Sequence, residues 1–128
     1  MKDCSIQLTN HPGDLARVAQ AFARRGVNIK ALAGLSIGGV AMARILPDDI
    51  VTARSALEAA NIRFTESEVH ILLLENKAGE LANVASRLGE AGINLEAIYI
   101  TGITGDLIEL AIVSDNPKKA KKILEEFG

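Results

Sequence analysis

The feature that most constrains this chain is that it repeats itself. Asn10-His11-Pro12-Gly13-Asp14-Leu15-Ala16-Arg17-Val18-Ala19 falls, 66 positions on, upon Asn76-Lys77-Ala78-Gly79-Glu80-Leu81-Ala82-Asn83-Val84-Ala85. Gly26-Val27-Asn28-Ile29 falls in the same way upon Gly92-Ile93-Asn94-Leu95. No gap is needed over positions 10–29, and eight residues are shared: Asn, Gly, Leu, Ala, Val, Ala, Gly and Asn. Chance gives roughly one or two in such a window. Past Gly39 and Gly105 the offset becomes 67, where Ile45-Leu46-Pro47-Asp48 meets Ile112-Val113-Ser114-Asp115. One extra loop residue accounts for the change. The repeated unit, about 60–65 residues, is far longer than most solenoid repeats. Two sister domains, 1–67 and 68–128, are therefore expected rather than an array.

Composition supports this organisation. The 128 residues are 48% apolar, too apolar for a disordered chain. A formal charge of −2 argues against nucleic acid as the main partner, because phosphate binding needs a basic surface. Aromatics are only 3%, so the stacking platforms of single-strand binders are missing. The single cysteine, Cys4, excludes an internal disulfide scaffold. With no basic-then-apolar leader and no apolar run near 18 residues, a soluble cytoplasmic protein with no membrane contact is expected.

Each copy reads as alternating strands and helices. Ser5–Thr9 alternates apolar and polar, as a half-buried strand should. Its counterpart Ile71–Leu74 is apolar throughout, which predicts a central strand covered on both faces. A helix follows from about Asp14 to Arg25, with Leu15, Val18, Ala19 and Phe22 on one face. The second copy uses Leu81, Val84, Ala85 and Leu88. Gly26 and Gly92 end these helices. A second strand, a hairpin at Gly38-Gly39 or Thr104-Gly105-Asp106, and a third strand come next. Asp48 or Asp49, and Asp115 or Asn116, can cap the second helices. Ile62–Thr65 reads as a fourth strand, joined by Glu66-Ser67-Glu68 to the next copy; the second copy reaches Gly128 where its own should begin. The order βαββαβ then βαββα predicts a duplicated ferredoxin-like α+β sandwich, antiparallel sheets with helices on one face. The bare edge of the second sheet is expected to be filled within the chain or by another subunit, in a homodimer.

The turn after the first strand carries the chemistry. Its signature is Asn-x-x-Gly-(Asp/Glu)-Leu-Ala. Gly13 and Gly79 permit backbone conformations closed to other residues, and the helix start offers unpaired N–H groups to a small carboxylate. Asn10 and Asn76 offer both donors and an acceptor, which suits a zwitterion. Asp14 and Glu80 favour the helix dipole but compete with a bound anion. The same residues also suit a plain turn. One asparagine before the turn and one after the helix (Asn28, Asn94), in both copies, is more than turn chemistry requires.

At these residues the sequence resembles the ACT domain, a small ligand-binding regulatory module. The family pattern is close to Asn-Arg-Pro-Gly-x-Leu, a helix, then Gly-(Val/Ile)-Asn-Ile. Here it reads Asn10-His11-Pro12-Gly13-Asp14-Leu15 with Gly26-Val27-Asn28-Ile29. The second copy reads Asn76-Lys77-Ala78-Gly79-Glu80-Leu81 with Gly92-Ile93-Asn94-Leu95. The whole chain is similar to stand-alone tandem ACT proteins. The resemblance implies binding rather than catalysis: domains pair side by side and hold an amino acid between them. It further implies that the asparagine before the turn contacts the ligand, and the one after the helix contacts it from the partner domain. A histidine that serves a serine-binding member is replaced here by Leu8 and Leu74. Pro12 is matched by Ala78, so the two sites differ.

No nucleophile–base set, carboxylate pair or phosphate loop is visible, so no enzyme is expected. Nor is a cofactor, and neither histidine has metal-ligand spacing, so no metal. The reading is an amino-acid sensor that works as an allosteric regulatory protein. The alternative is an interaction module, the regulatory subunit of an amino-acid metabolic enzyme or transcription regulator.

Overall fold

The computed structural model describes residues 1–9 and 11–127. Contacts divide it into two compact units, one of residues 2–67 and one of residue 1 with residues 68–128. The first unit contains β1 (Lys2–Leu8), α1 (Asp14–Arg24), β2 (Ile29–Ile37), β3 (Val40–Pro47), α2 (Ile50–Ala59) and β4 (Thr65–Glu68). The second contains β5 (His70–Glu75), α3 (Glu80–Glu90), β6 (Leu95–Thr104), β7 (Leu107–Ser114) and α4 (Pro117–Leu124). The first sheet runs β2-β3-β1-β4 and the second β5-β7-β6. Both are α+β and antiparallel in the pairings β1–β3, β2–β3, β5–β7 and β6–β7.

The registers reproduce the duplication except at one place: β6 bulges between Ile100 and Gly102 against β7, where β2 runs without a break against β3, so the extra residue of the second copy is Thr101 within the strand and not, as expected, in the loop. Cys4 pairs with Ile45 and His70 with Ile112, displacements of 66 in one strand and 67 in the other. The extra residue therefore lies between them. β2 and β3 are joined through Gly38 (φ 56°) and Gly39 (φ 82°), a two-residue turn with both central residues left-handed.

Each unit buries its own aliphatic cluster. Ile6, Val18, Phe22, Ile45, Leu57 and Ile62 form the first. Leu72, Val84, Leu88, Leu110, Ile112 and Leu124 form the second. The first helix of each unit ends alike. Gly26 (φ 70°) and Gly92 (φ 74°) reverse the chain, and the next residue donates back five positions, Val27 to Phe22 O and Ile93 to Leu88 O, each at 3.0 Å. Val27 and Ile93 are buried, completing the hydrophobic contact such a cap favours.

Three further expectations are corrected. The fourth strand is Thr65–Glu68, not Ile62–Thr65, so Glu66-Ser67-Glu68 is strand rather than linker. Asn61 (φ 56°) terminates α2 in the left-handed region, and Ile62 N donates to Leu57 O. Ile62 and Phe64 then pack on the core before the strand begins. β5 is not central: it is the edge of a three-stranded sheet, and Leu73 is 53% exposed. Leu15 and Leu81 are not core residues but are 42% and 48% exposed. They sit in the first helical turn, before the face formed by Val18, Phe22, Val84 and Leu88.

Candidate functional site

The turn between β1 and α1 has a glycine at its centre because the backbone there is left-handed. Gly13 has φ 91° and Gly79 φ 92°, and each stands at the N-cap with no side-chain cap. A Cβ would meet no atom at either position, so the dihedral rather than crowding selects glycine. The following N–H groups are left to be satisfied from outside the helix.

In the first copy the turn closes on a carboxylate. Asp14 Oδ2 accepts from Thr9 N (2.8 Å), from His11 N (3.3 Å) and from the Thr9 hydroxyl. His11 Nδ1 stands 3.0 Å from Thr9 Oγ1. That hydroxyl gives its proton to Asp14, so Nδ1 is the donor in this contact. The Thr9 hydroxyl, then the backbone donors and His11, hold the Asp14 carboxyl below its ordinary value. Beside it lies an open depression of about 440 Å³ lined by Leu8, His11, Pro12, Gly13, Asp14 and Leu15, with Ala41.

The second turn solves the same problem differently. Glu75 replaces Thr9, and Lys77 Nζ lies 2.8 Å from Glu75 and 4.0 Å from Glu80. The carboxylate corresponding to Asp14 therefore faces a lysine, where Asp14 is held by hydroxyl and backbone donors. Asn76 N donates to Asp106 O at 2.7 Å, tying this turn to the β6–β7 hairpin. Ala78, Gly79 and Leu81 are exposed. Large aliphatic side chains are exposed on the edge strands of both units, with Leu35 and Ile37 on β2 and Ile100 and Ile103 on β6.

Asn10 lies outside the described residues. Asn28 and Asn94 lie elsewhere in each unit. Both are exposed and follow the far end of the helix that begins at the turn. An 11-residue helix separates the two places, about 16 Å along its axis. One unit alone does not bring its turn and its asparagine together. What sequence reasoning missed is the partner of each asparagine: Asn28 N donates to Asp48 Oδ1 and Asn94 N to Asp115 Oδ1, both at 3.1 Å. The spacing of Asn28–Asp48 and Asn94–Asp115, equal apart from the residue that bulges in β6, was the available signal.

Among the described residues no group of three or more His, Cys, Asp and Glu side chains is placed to hold a metal ion. No helix among them is long and apolar enough to cross a membrane.

Residues 5–58 match the family profile described as the AHAS small subunit-like ACT domain. No curated protein matches the sequence. Among solved structures, protein BT0572 from Bacteroides thetaiotaomicron is similar at 26% identity, with a TM-score of 0.87 over 98% of this chain and 86% of that one. The regulatory subunit of aspartate kinase from Thermus thermophilus is 19% identical, with a TM-score of 0.69 over 97% of this chain and 87% of that one. The corresponding subunit from Thermus flavus is also 19% identical, with a TM-score of 0.68 and the same coverage.

Proposed function

We propose that this chain is a non-catalytic, cytoplasmic regulatory protein that senses a small amino acid. The ligand is held between the turn of one ACT-like unit and the post-helix asparagine of another. The observation that carries this reading is Asp14, fixed by Thr9 and His11 at the mouth of a depression. An ionised carboxylate pinned in place is a ready receptor for an ammonium group, because its orientation has already been fixed. The amide of an asparagine from another unit would take the ligand's carboxylate. The separation of turn and asparagine within a unit is the reason two units are needed.

The second turn, with Lys77 beside Glu80, offers an ammonium group less. The two copies are therefore unequal sites, the first the stronger. The exposed aliphatic side chains of β2 and β6 are surfaces on which such units pair, and the chain is a homodimer. Large exposed apolar side chains of this kind favour a role in association.

A thermal-shift screen with all common amino acids at millimolar concentration tests the reading. A ligand that binds only the folded protein raises Tm by mass action. The expected result is a shift that Asp14→Asn abolishes. A flat response to the whole panel would remove the reading. The relatives named as aspartate kinase regulatory subunits favour a second one, a regulatory subunit docked on an amino-acid metabolic enzyme. Capture of such an enzyme at fixed stoichiometry without any amino-acid dependence would favour it over the sensor.

A further inference from the structure

The first unit carries a second open cavity, of about 520 Å³, which shares no lining residue with the depression at the β1–α1 turn. It forms where the chain leaves α2 and comes alongside β1. β4 has four residues and β1 seven, so β4 cannot cover the whole of β1. Before β4 begins, Ile62 and Phe64 turn inward and pack on the core. Arg63 and Thr65, the residues that follow each of them, are exposed. From β1 come Ser5 and Gln7, on the face opposite the buried Cys4 and Ile6. Met42 joins them as the partner of Gln7 on β3. The cavity therefore has an apolar wall of Ile62, Phe64 and Met42 and a polar wall of Ser5, Gln7, Arg63 and Thr65. A few polar groups on apolar walls, in a space of this size, is the make-up of a small-molecule site.

The polar wall has a definite sign. Arg63 is its one charged member, and among the described residues no carboxylate lines the cavity. The two carboxylates closest to it in sequence are engaged elsewhere. Arg54 Nε and Nη2 donate to the two oxygens of Glu66, at 2.7 and 2.8 Å, and Arg44 Nε donates to Asp3 at 2.8 Å. The side chains of Ser5, Gln7, Arg63 and Thr65 have no hydrogen-bond or ion-pair partner among the described residues. A guanidinium with its fork free, two hydroxyls and an amide present a set of donors to an oxyanion, and the fork matches a carboxylate. For an ammonium group the cavity has no charged acceptor. This is the reverse of the turn, where the charged group at the depression is the carboxylate of Asp14.

We propose that this cavity binds a small monocarboxylate with an apolar body and no ammonium group, the class to which α-keto acids belong. The carboxylate sits on the guanidinium of Arg63. A keto oxygen beside it takes a proton from the hydroxyl and amide donors of Ser5, Gln7 and Thr65. The apolar body lies against Ile62, Phe64 and Met42. An amino acid with the same body is rejected, because its ammonium would stand beside Arg63 with no carboxylate to receive it. The site is separate from the turn and stands whether or not the turn binds an amino acid.

The test titrates the intact chain with leucine and with the α-keto acid of leucine, which share one apolar body, and follows backbone amide shifts by NMR. Saturable shifts at residues 5–7 and 62–65 are expected with the keto acid and not with leucine. Arg63→Gln should weaken keto-acid binding by about tenfold or more, the worth of a charge-assisted bond. Gln7→Glu, which places a carboxylate on the polar wall, should weaken it as well. Arg63 and Gln7 are exposed, so both variants should fold, and their unperturbed amide spectra check this. Asp14→Asn should leave keto-acid binding unchanged, whatever it does to an amino acid at the turn. No saturation by about 1 mM keto acid, at the weak end of measurable affinity, would overturn the proposal. So would equal binding of leucine at these residues, or an affinity that Arg63→Gln does not change. Displacement of the keto acid by inorganic phosphate at equal concentration would make this a general anion site and also overturn it.

Discussion

Asn28 and Asp48 hold each other by the main chain and one carboxylate. Asn28 N donates to Asp48 Oδ1 at 3.1 Å, and Asp48 N donates to Asn28 O at 3.0 Å. Asn94 and Asp115 repeat both bonds at 3.1 Å. The reciprocal pair ties the entrance of β2 to the exit of β3, and of β6 to β7. It uses the asparagine's backbone, not its amide. The aspartate is therefore the structural member, and the asparagine side chain is available for another task.

This division is measurable. Asp48→Ala should cost about 1.5–3 kcal/mol of stability, the usual worth of a hydrogen bond to a charged group. Asp115→Ala should do the same for the second unit. Asn28→Ala should change stability by less than about 0.5 kcal/mol, as surface substitutions do, yet abolish the Tm shift produced by an amino-acid ligand. Urea unfolding with and without ligand separates the two effects. If Asn28→Ala destabilises the free protein as much as Asp48→Ala does, the side chain is structural and its binding role fails.

The buried ion pair of the first unit can be read against the second, which lacks it. Asp3 is fully buried, and Arg44 Nε donates to it at 2.8 Å while Nη2 donates to Ser67 Oγ at 3.0 Å. The counterparts in the second copy are Val69 and Ala111. Removing one partner takes the ion pair from the other charge, and the more buried charge suffers more. Arg44→Ala should therefore cost about 3 kcal/mol or more, and Asp3→Val less, because Arg44 keeps 19% exposure and Ser67. The double change Asp3→Val with Arg44→Ala should recover much of the loss, since it installs the apolar solution already present in the second copy. Chemical denaturation of the three variants checks the order; equal losses in both single variants would contradict it.

The α2 cap gives a pH signature. Asp49 accepts from Val51 N at 3.0 Å, Thr52 N at 3.2 Å and Thr52 Oγ1 at 2.6 Å. These bonds, the Thr52 hydroxyl first, hold its carboxyl below the ordinary value of 3.8. A carboxyl whose pKa is lower folded than unfolded stabilises the protein above its unfolded value, and that contribution is lost as pH falls through the folded one. Asp49→Ala should therefore lower Tm at pH 7, and the gap to the parent should narrow as pH falls below the ordinary value of 3.8 and the parent's carboxylate is protonated. A gap that stays constant down to pH 2 would mean that the charge of Asp49 contributes nothing.

How far the sequence reached is visible at these same places. The repeat, the left-handed glycines and the element order follow from spacing alone, because periodicity and dihedral demand act over a few residues. Asp48 and Asp49 are adjacent carboxylates, and only the trajectory of the chain decides which one caps α2 and which one reaches back to Asn28. Ile62 and Phe64 read as a strand because strand and helix-capping residues share an apolar pattern; the left-handed Asn61 separates them. Leu15 fits the helical stripe, but where the stripe runs past the core is a tertiary property. The hydrogen bonds of Asp14 to Thr9 and His11 depend on a loop conformation that no local rule prescribes.

Cys4 offers a probe for the first unit alone. It is fully buried, and burial, followed by the charges of Glu66 and Asp3, pushes its thiol up to about 11. The thiolate is the reactive form. At pH 8 the native thiol is therefore both inaccessible and protonated, and labelling by a thiol reagent should require opening of β1 and β4. The native labelling rate should fall below that of the unfolded chain by the folding equilibrium constant of this unit, typically 10³ or more for a stable domain. Glu66→Gln, which loses the charge-assisted bonds to Arg54 and weakens the strand that covers Cys4, should raise the native rate. Lys121→Glu, in the other unit, should leave it unchanged if the two units open independently. Labelling of native Cys4 at the unfolded rate would show that β4 does not seal β1 in solution.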